Sequence, residues 1–289
     1  MEIAIGLPNV IPDVPGDRLP AWAARAEERG FSALVVTERT VYPGYDPLLS
    51  LAAAAAVTRR IRLVTDVVVA PLRSPAMLAK DAAGVWEISG GRLTLGVAPG
   101  VRADDFVAAE RRFGRRFARF DEDLSVVRAI WKGEPAPGTD RSPLARPLPG
   151  DGVPLLIGGF SDGAIERTVR WGIGWAAPSL APDDVIPFAG RVRAAWRAAG
   201  RAGDPRIVVM ARFGIGADVA DVSRATARDY FSVLGPELAE VFAGDAAHDR
   251  AEVRAVIDRY AAAGVDELVF NPTAPELSQV DRLADACFG

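Results

Sequence analysis

Ile61–Gly100 reads IRLVTDVVVAPLRSPAMLAKDAAGVWEISGGRLTLGVAPG. Its opening run, Ile61–Val69, reads as a strand and leads into the continuous apolar stretch VVVAPL (Val67–Leu72), which suits a parallel sheet covered on both sides, where no strand face meets water. Pro75–Ile88 follows with helical spacing. Gly90-Gly91 then turns the chain into a second apolar run, Arg92–Val97, which Ala98-Pro99-Gly100 stops abruptly. The segment is therefore one strand–helix–strand unit.

Further strands are predicted outward from it at Ile3–Leu7, Ala33–Thr37, Leu155–Ile157, Gly174–Ala177, Ile207–Phe213 and Glu267–Asn271. Helical patterns fall at Leu19–Arg29, Pro47–Thr58, Asp121–Trp131, Asp162–Trp171, Asp183–Ala199, Val219–Ala243, Ala251–Ala262 and Ser278–Ala286. Arg29-Gly30 and Ala263-Gly264 supply the glycine that suits a helix C-terminus. Near-regular alternation of eight strands with helices matches an α/β (β/α)8 TIM barrel, expected as a single domain over residues 1–289. The rival, a doubly wound open sheet, usually carries a Gly-rich turn directly after its first strand. Here that strand runs into Pro8, Pro12 and Pro15. Gly133–Gly152, dense in Pro and Gly, is an extended loop after the fourth βα unit and the candidate substrate lid.

Composition narrows the chemistry. The 289 residues carry 38 acidic and 34 basic side chains, one histidine (His248) and one cysteine (Cys287). That excludes a disulfide framework, a cysteine zinc site and a histidine metal cluster. A net charge of −4 offers no general attraction to nucleic acid or an anionic membrane. No apolar run reaches the roughly 18 residues of a membrane span, and MEIAIGLPNV lacks the basic start of a signal peptide. The expectation is a cytoplasmic protein.

In such barrels the chemistry sits at the carboxyl ends of the strands. Glu38 and Arg39 follow the second strand, Arg73 the third, Ala98-Pro99-Gly100-Val101-Arg102 the fourth, and Gly158-Gly159-Phe160-Ser161 the fifth. In PLLIGGFSDGAIERTVRW (Pro154–Trp171), two glycines and a helix N-terminus suit a phosphate. They equally suit a tight turn with Ser161 or Asp162 as a plain N-cap. Small residues at Gly96–Gly100 leave room for a flat ring, or pack closely inside the barrel. In the basic run Arg111–Arg119, most arginines read as a solvated face, while Arg116 and Arg119 are candidates to turn onto a phosphate or acidic substrate. Glu38 and Asp66 are acid–base candidates, or partners of Arg39 and Arg73.

Taken together, EIAIGLP (Glu2–Pro8), Asp46–Gly100, RRFARFDEDLSVVRAIWKGE (Arg115–Glu134), PLLIGGFSDGAIERTVRWGIGW (Pro154–Trp175) and VIDRYAAAGVDELVF (Val256–Phe270) resemble the bacterial luciferase-like flavin- and deazaflavin-dependent oxidoreductases. The likeness runs over almost the whole chain. It implies reduced FMN or coenzyme F-420 lying across the carboxyl face. The cofactor phosphate would be held by Gly158, Gly159, Phe160 and Ser161, with an arginine near Arg119 sometimes assisting. The ring would rest on a bulge whose non-prolyl cis peptide falls at Asp66-Val67. Further ring contacts would come from Glu38, Val68 and the turn of Ala98, Pro99, Gly100 and Val101.

Two departures stand out. Some members pair a histidine after the second strand with a glutamate after the fourth as proton donors; Arg39 and Val101 stand there. Ala98-Pro99 replaces a commonly glycine-containing turn, and proline lacks an N–H. The resemblance implies a monooxygenase that uses reduced FMN and oxygen on a small organic substrate, with an NAD(P)H-dependent flavin reductase as partner. The alternatives are hydride transfer from reduced coenzyme F-420, or a flavin-binding barrel without catalysis. Homodimers built on helices two and three are common in the family, and SLAAAAAV (Ser50–Val57) is compatible with close helix contact.

Overall fold

The apolar run Ile61–Val69 forms two strands rather than one, β3 (Arg62–Thr65) and β4 (Val68–Val69), separated by a cis peptide bond at Asp66-Val67. The structure is a computed structural model that describes residues 1–178 and 182–289. The remaining strands are β1 (Glu2–Gly6), β2 (Ala33–Val36), β5 (Leu93–Ala98), β6 (Leu155–Gly158), β7 (Gly174–Ala176), β8 (Arg206–Phe213), β9 (Ala246–Ala247) and β10 (Glu267–Pro272). All pairings are parallel. β1, β2, β3, β5, β6, β7, β8 and β10 follow one another around the sheet, and β10 closes it on β1 with Ile3 opposite Leu268. This is the expected eight-stranded barrel.

Alternation along each strand divides the core in two. Ala4, Ala33, Val35, Val64, Leu156, Ala176, Val208 and Val269 fill the barrel, and their size suits the narrow interior. Ile5, Leu34, Leu63, Leu95, Ile157, Ile207 and Leu268 point outward to the helices. Each such side chain contributes about 1.5–3 kcal/mol on burial. The helices are α1 (Arg18–Glu28), α2 (Pro47–Val57), α3 (Pro75–Ile88), α4 (Ala103–Ala108), α5 (Arg116–Trp131), α6 (Asp162–Trp171), α7 (Pro182–Ala198), α8 (Ala220–Phe231), α9 (Pro236–Ala243), α10 (Arg250–Ala262) and α11 (Ser278–Phe288). Among the described residues no helix is long and apolar enough to cross a membrane.

An ion cluster closes the amino end of the barrel. Glu267, 1% exposed, receives Arg62 at 2.6 Å, Arg206 at 2.9 Å and the Ser32 hydroxyl at 2.8 Å. Burial alone would raise its pKa, yet the two guanidiniums hold it below the ordinary carboxylate value. Glu267→Gln leaves both cations without their shared counter-charge, and urea unfolding at pH 7 is expected to show a loss of about 2 kcal/mol. An unchanged midpoint would contradict this role.

Three local expectations are corrected. The single helix foreseen over Val219–Ala243 is two, α8 and α9, folded against each other. Gly235, at φ +96°, makes the corner, and Pro236 cannot continue the preceding helix. Helix α4 was not foreseen, and α5 begins at Arg116 rather than Asp121. The loop Gly133–Gly152 is not a lid. It leaves the end of α5 and enters the amino end of β6, so it lies at the face opposite the strands' carboxyl ends. There Leu148 N–H donates to Trp131 O at 2.8 Å and Arg146 pairs with Glu87.

Candidate active site

The carboxyl ends of the strands surround a cavity of about 530 Å3. Its floor is the bulge between β3 and β4. Thr37 Oγ1 donates to Asp66 O at 3.3 Å, and Asp66 N–H donates to Val36 O at 2.8 Å. Glu38 accepts from Val69 N–H at 2.5 Å and from Arg73 Nε at 2.9 Å. Glu38 thus reaches the cavity wall, but its oxygens are committed to fixing the bulge. Val67 and Val69 line the cavity. Val68, between them, points the other way and is fully buried against the helices, so the expectation that it faces the cavity is corrected: Val69 does.

Asp66 is the singular group. It is 8% exposed, it lines the cavity, and its Oδ2 is buried without a hydrogen-bond partner. Burial pushes its carboxyl up to about 7, with Glu267 further down the barrel adding to the rise. It therefore keeps its proton well above the ordinary carboxylate range.

Small residues form the next wall. Ala98, Pro99 and Gly100 line the cavity. Gly100, at φ +81°, has room only for hydrogen, since a methyl there would stand 2.5 Å from Val69 Cγ1. Arg116, sandwiched between the rings of Phe113 and Phe117, donates from Nε to Gly100 O at 3.0 Å. It turns inward, but onto the backbone of the turn.

At the fifth-strand corner, Gly158 and Gly159 open directly into the cavity together with Phe160 and Ser161. Gly159 has φ +125°, and its carbonyl accepts from Trp175 Nε1 at 2.7 Å. Trp175 packs on Phe188, which stacks on Phe160 at 4.5 Å, so the corner is braced from behind. Ser161 is the N-cap of α6, its Oγ accepting from Ala164 N–H at 3.3 Å. Ser161→Ala is expected to cost about 1 kcal/mol in urea unfolding; no change would show that the cap does not hold the helix.

Arg119 does not reach this corner. It lies 3.3 Å from Asp123 and faces a separate cleft with Arg111, Arg112 and Arg115. Arg167 lines the cavity instead, clamped to Asp121 through Nε at 2.8 Å and Nη2 at 2.7 Å. Its Nη1 overhangs the first turn of α6, since a methyl on Gly163 would stand 3.0 Å away from it. Nothing in the sequence spacing distinguishes Arg167 from Arg170; the signal is the partner on α5.

Arg39 and Val101 part company. The Arg39 side chain, 5% exposed, lies 3.3 Å from Asp105, which also accepts from Thr40 N–H and Val41 N–H. Val101 is exposed. Over the mouth stand Tyr230 and Phe231 of α8 and Phe242 of α9, residues that the sequence reading did not single out. His248 lies outside the cavity, its Nδ1 3.0 Å from Gly214 O.

Comparisons with known proteins agree with this architecture. Residues 1–279 match the sequence model of the family described as luciferase-like monooxygenase. An uncharacterized protein of Mycobacterium tuberculosis is 32% identical over 224 residues, 66% of this chain and 78% of that one. A putative coenzyme F-420-dependent oxidoreductase of the same organism is 35% identical over 133 residues, 45% of this chain and 37% of its own length. The crystal structure of monooxygenase RslO1 from Streptomyces bottropensis superposes with a TM-score of 0.76 at 25% identity, covering 99% of this chain and 96% of that one. With the closed barrel and the matched length together, the chain belongs to the luciferase-like monooxygenase family.

Proposed function

We propose that the protein is an oxidoreductase that holds reduced FMN in this cavity and oxidises a small organic substrate with oxygen. The observation that carries the reading is the cavity itself. It runs without interruption from the glycine corner, past the bulge, to an aromatic-lined mouth. Its residues fit such a cofactor. Gly158 and Gly159 leave the backbone open to an anionic tail, and the N-terminus of α6 with Arg167 offers N–H groups and positive charge. Val67, Val69 and Ala98 make flat apolar walls, and the orphaned Asp66 Oδ2 awaits a polar partner.

When bound, reduced FMN supplies the two electrons that activate oxygen. The chain does the rest. The corner and Arg167 bind and orient the phosphate, the bulge supports the ring, and Asp66 holds a proton at the cavity floor. Tyr230, Phe231 and Phe242 exclude water from the mouth, which strengthens every polar interaction inside.

A second reading, hydride transfer involving coenzyme F-420, is favoured by the relative whose name carries that cofactor. Oxygen separates the two. Substrate oxidation by the FMN-loaded protein is expected to stop under argon; turnover with reduced coenzyme F-420 that continues without oxygen overturns the monooxygenase reading. The proposal includes a flavin reductase as electron supplier and one folded unit over residues 1–289. It also includes a homodimer through α2 and α3, where Leu49, Val57, Met77 and Ile88 are exposed. Sedimentation of the wild-type chain and of Leu49→Glu checks the last point, dimer against monomer.

A further inference from the structure

We infer that the substrate end of this cavity selects organic carboxylates with an apolar, preferably aromatic, body, and that Arg102 is the residue that holds the carboxylate. The inference rests on the oxidoreductase reading and adds the substrate class.

Three guanidiniums line the cavity around the mouth: Arg39, Arg102 and Arg212. Two are already matched. Arg39 lies against Asp105 at 3.3 Å and Asp104 at 3.5 Å, and Arg212 pairs with Asp245 at 2.8 Å. Arg102 has no carboxylate within 4.0 Å among the described residues. Its one hydrogen bond runs from Nη1 to Tyr230 O at 3.3 Å, and its guanidinium lies 4.9 Å from the centre of the Tyr230 ring. Burial lowers its pKa below the ordinary arginine value and Arg39 adds to the fall, against the opposing pull of Tyr230 and of Asp105 and Asp104, which lie beyond ion-pair distance. A half-buried cation with no carboxylate in direct contact is costly, and an anion brought by a ligand offsets that cost.

The free Nε and Nη2 edge is planar and matches the two oxygens of a carboxylate. One uncommitted guanidinium suits one negative charge, whereas a phosphate dianion calls for more donors. Beside it, Phe231 stacks on Phe242 at 4.1 Å, and both rings line the cavity. This gives the ligand body an apolar wall next to the cation. The phosphate end is served separately by the glycine corner and Arg167, so Arg102 is spare.

The experiment uses 2-naphthoate and 2-naphthamide, which share shape and differ in charge. Each is titrated calorimetrically into the full-length protein with and without saturating FMN or coenzyme F-420. The wild type is expected to bind naphthoate about thirtyfold more tightly than naphthamide. Arg102→Leu is expected to erase the preference while keeping naphthamide affinity within about twofold, and Arg102→Lys to restore part of it. Retained naphthamide binding shows that the leucine variant is folded. Equal affinities in the wild type, a preference that survives Arg102→Leu, or no binding of either probe at millimolar concentration overturns the inference. A naphthoate preference that depends on Arg102 in a protein that binds neither cofactor overturns the oxidoreductase reading and leaves the carboxylate site standing.

Discussion

Gly159→Val is expected to weaken binding of FMN or coenzyme F-420 about a hundredfold. Gly159 sits at φ +125°, a backbone region that L side chains rarely adopt, and a β-carbon there would stand 3.2 Å from Ala164 Cβ on the first turn of α6. Valine therefore shifts the corner away from α6, or projects methyl groups into the space the anionic tail needs. Either way the corner loses its proposed hold on the anionic tail, taken as about two charge-assisted hydrogen bonds from backbone N–H groups. At about 1.5 kcal/mol each, this comes to about 3 kcal/mol, or two orders of magnitude in affinity. The strained conformation also costs about 1–3 kcal/mol of stability. The check is therefore calorimetric titration at a temperature where circular dichroism shows both proteins folded. A folded Gly159→Val protein that binds the cofactor as wild type does would remove the corner from the site.

The second large effect concerns pH. The Asp66 carboxyl is pushed up to about 7 from an ordinary 3.8 by burial. Between those values the folded chain keeps a proton that the unfolded chain releases, so the group makes folding stability fall as pH rises from about 4 to 7. About three pH units at about 1.4 kcal/mol each give a contribution of up to about 4 kcal/mol. Asp66→Asn has the same shape and cannot ionise. Its stability relative to wild type is expected to grow by up to that amount between pH 4 and pH 8, read as urea midpoints across the range. Every other carboxylate is common to the two proteins, so the difference isolates this one. Parallel pH profiles would show that Asp66 is an ordinary acid and holds no proton for the reaction.

The barrel was legible because its evidence is local and repeated. Apolar runs such as Ile61–Val69 and Ile207–Phe213 follow helical spacing at short intervals, and Pro8, Pro12 and Pro15 argue against the open-sheet rival. The glycine corner was legible for the same reason, since Gly158-Gly159 and the Ser161 cap lie within four residues.

What escaped depends on partners distant in sequence. Arg119 and Arg167 look alike along the chain. Asp123 draws the first aside, and Asp121 clamps the second over the helix end. Val68 and Val69 differ only in which face of a bulged strand they occupy. The misplaced lid was different in kind. Composition marked Gly133–Gly152 as special, but a loop that runs from a helix into a parallel strand belongs at the amino face whatever its composition. The carboxyl-face cavity is lined instead by residues of α8 and α9, whose break was written in Gly235-Pro236.

A redox heterocycle held in this cavity by its anionic tail, as proposed, has to bind the isolated chain. The most direct test is calorimetric titration of the wild-type protein with FMN and coenzyme F-420, each oxidised and reduced. One-to-one binding of one of the two at micromolar strength, with inorganic phosphate competing, is the expected result. Absence of binding by all four ligands to folded protein would contradict it.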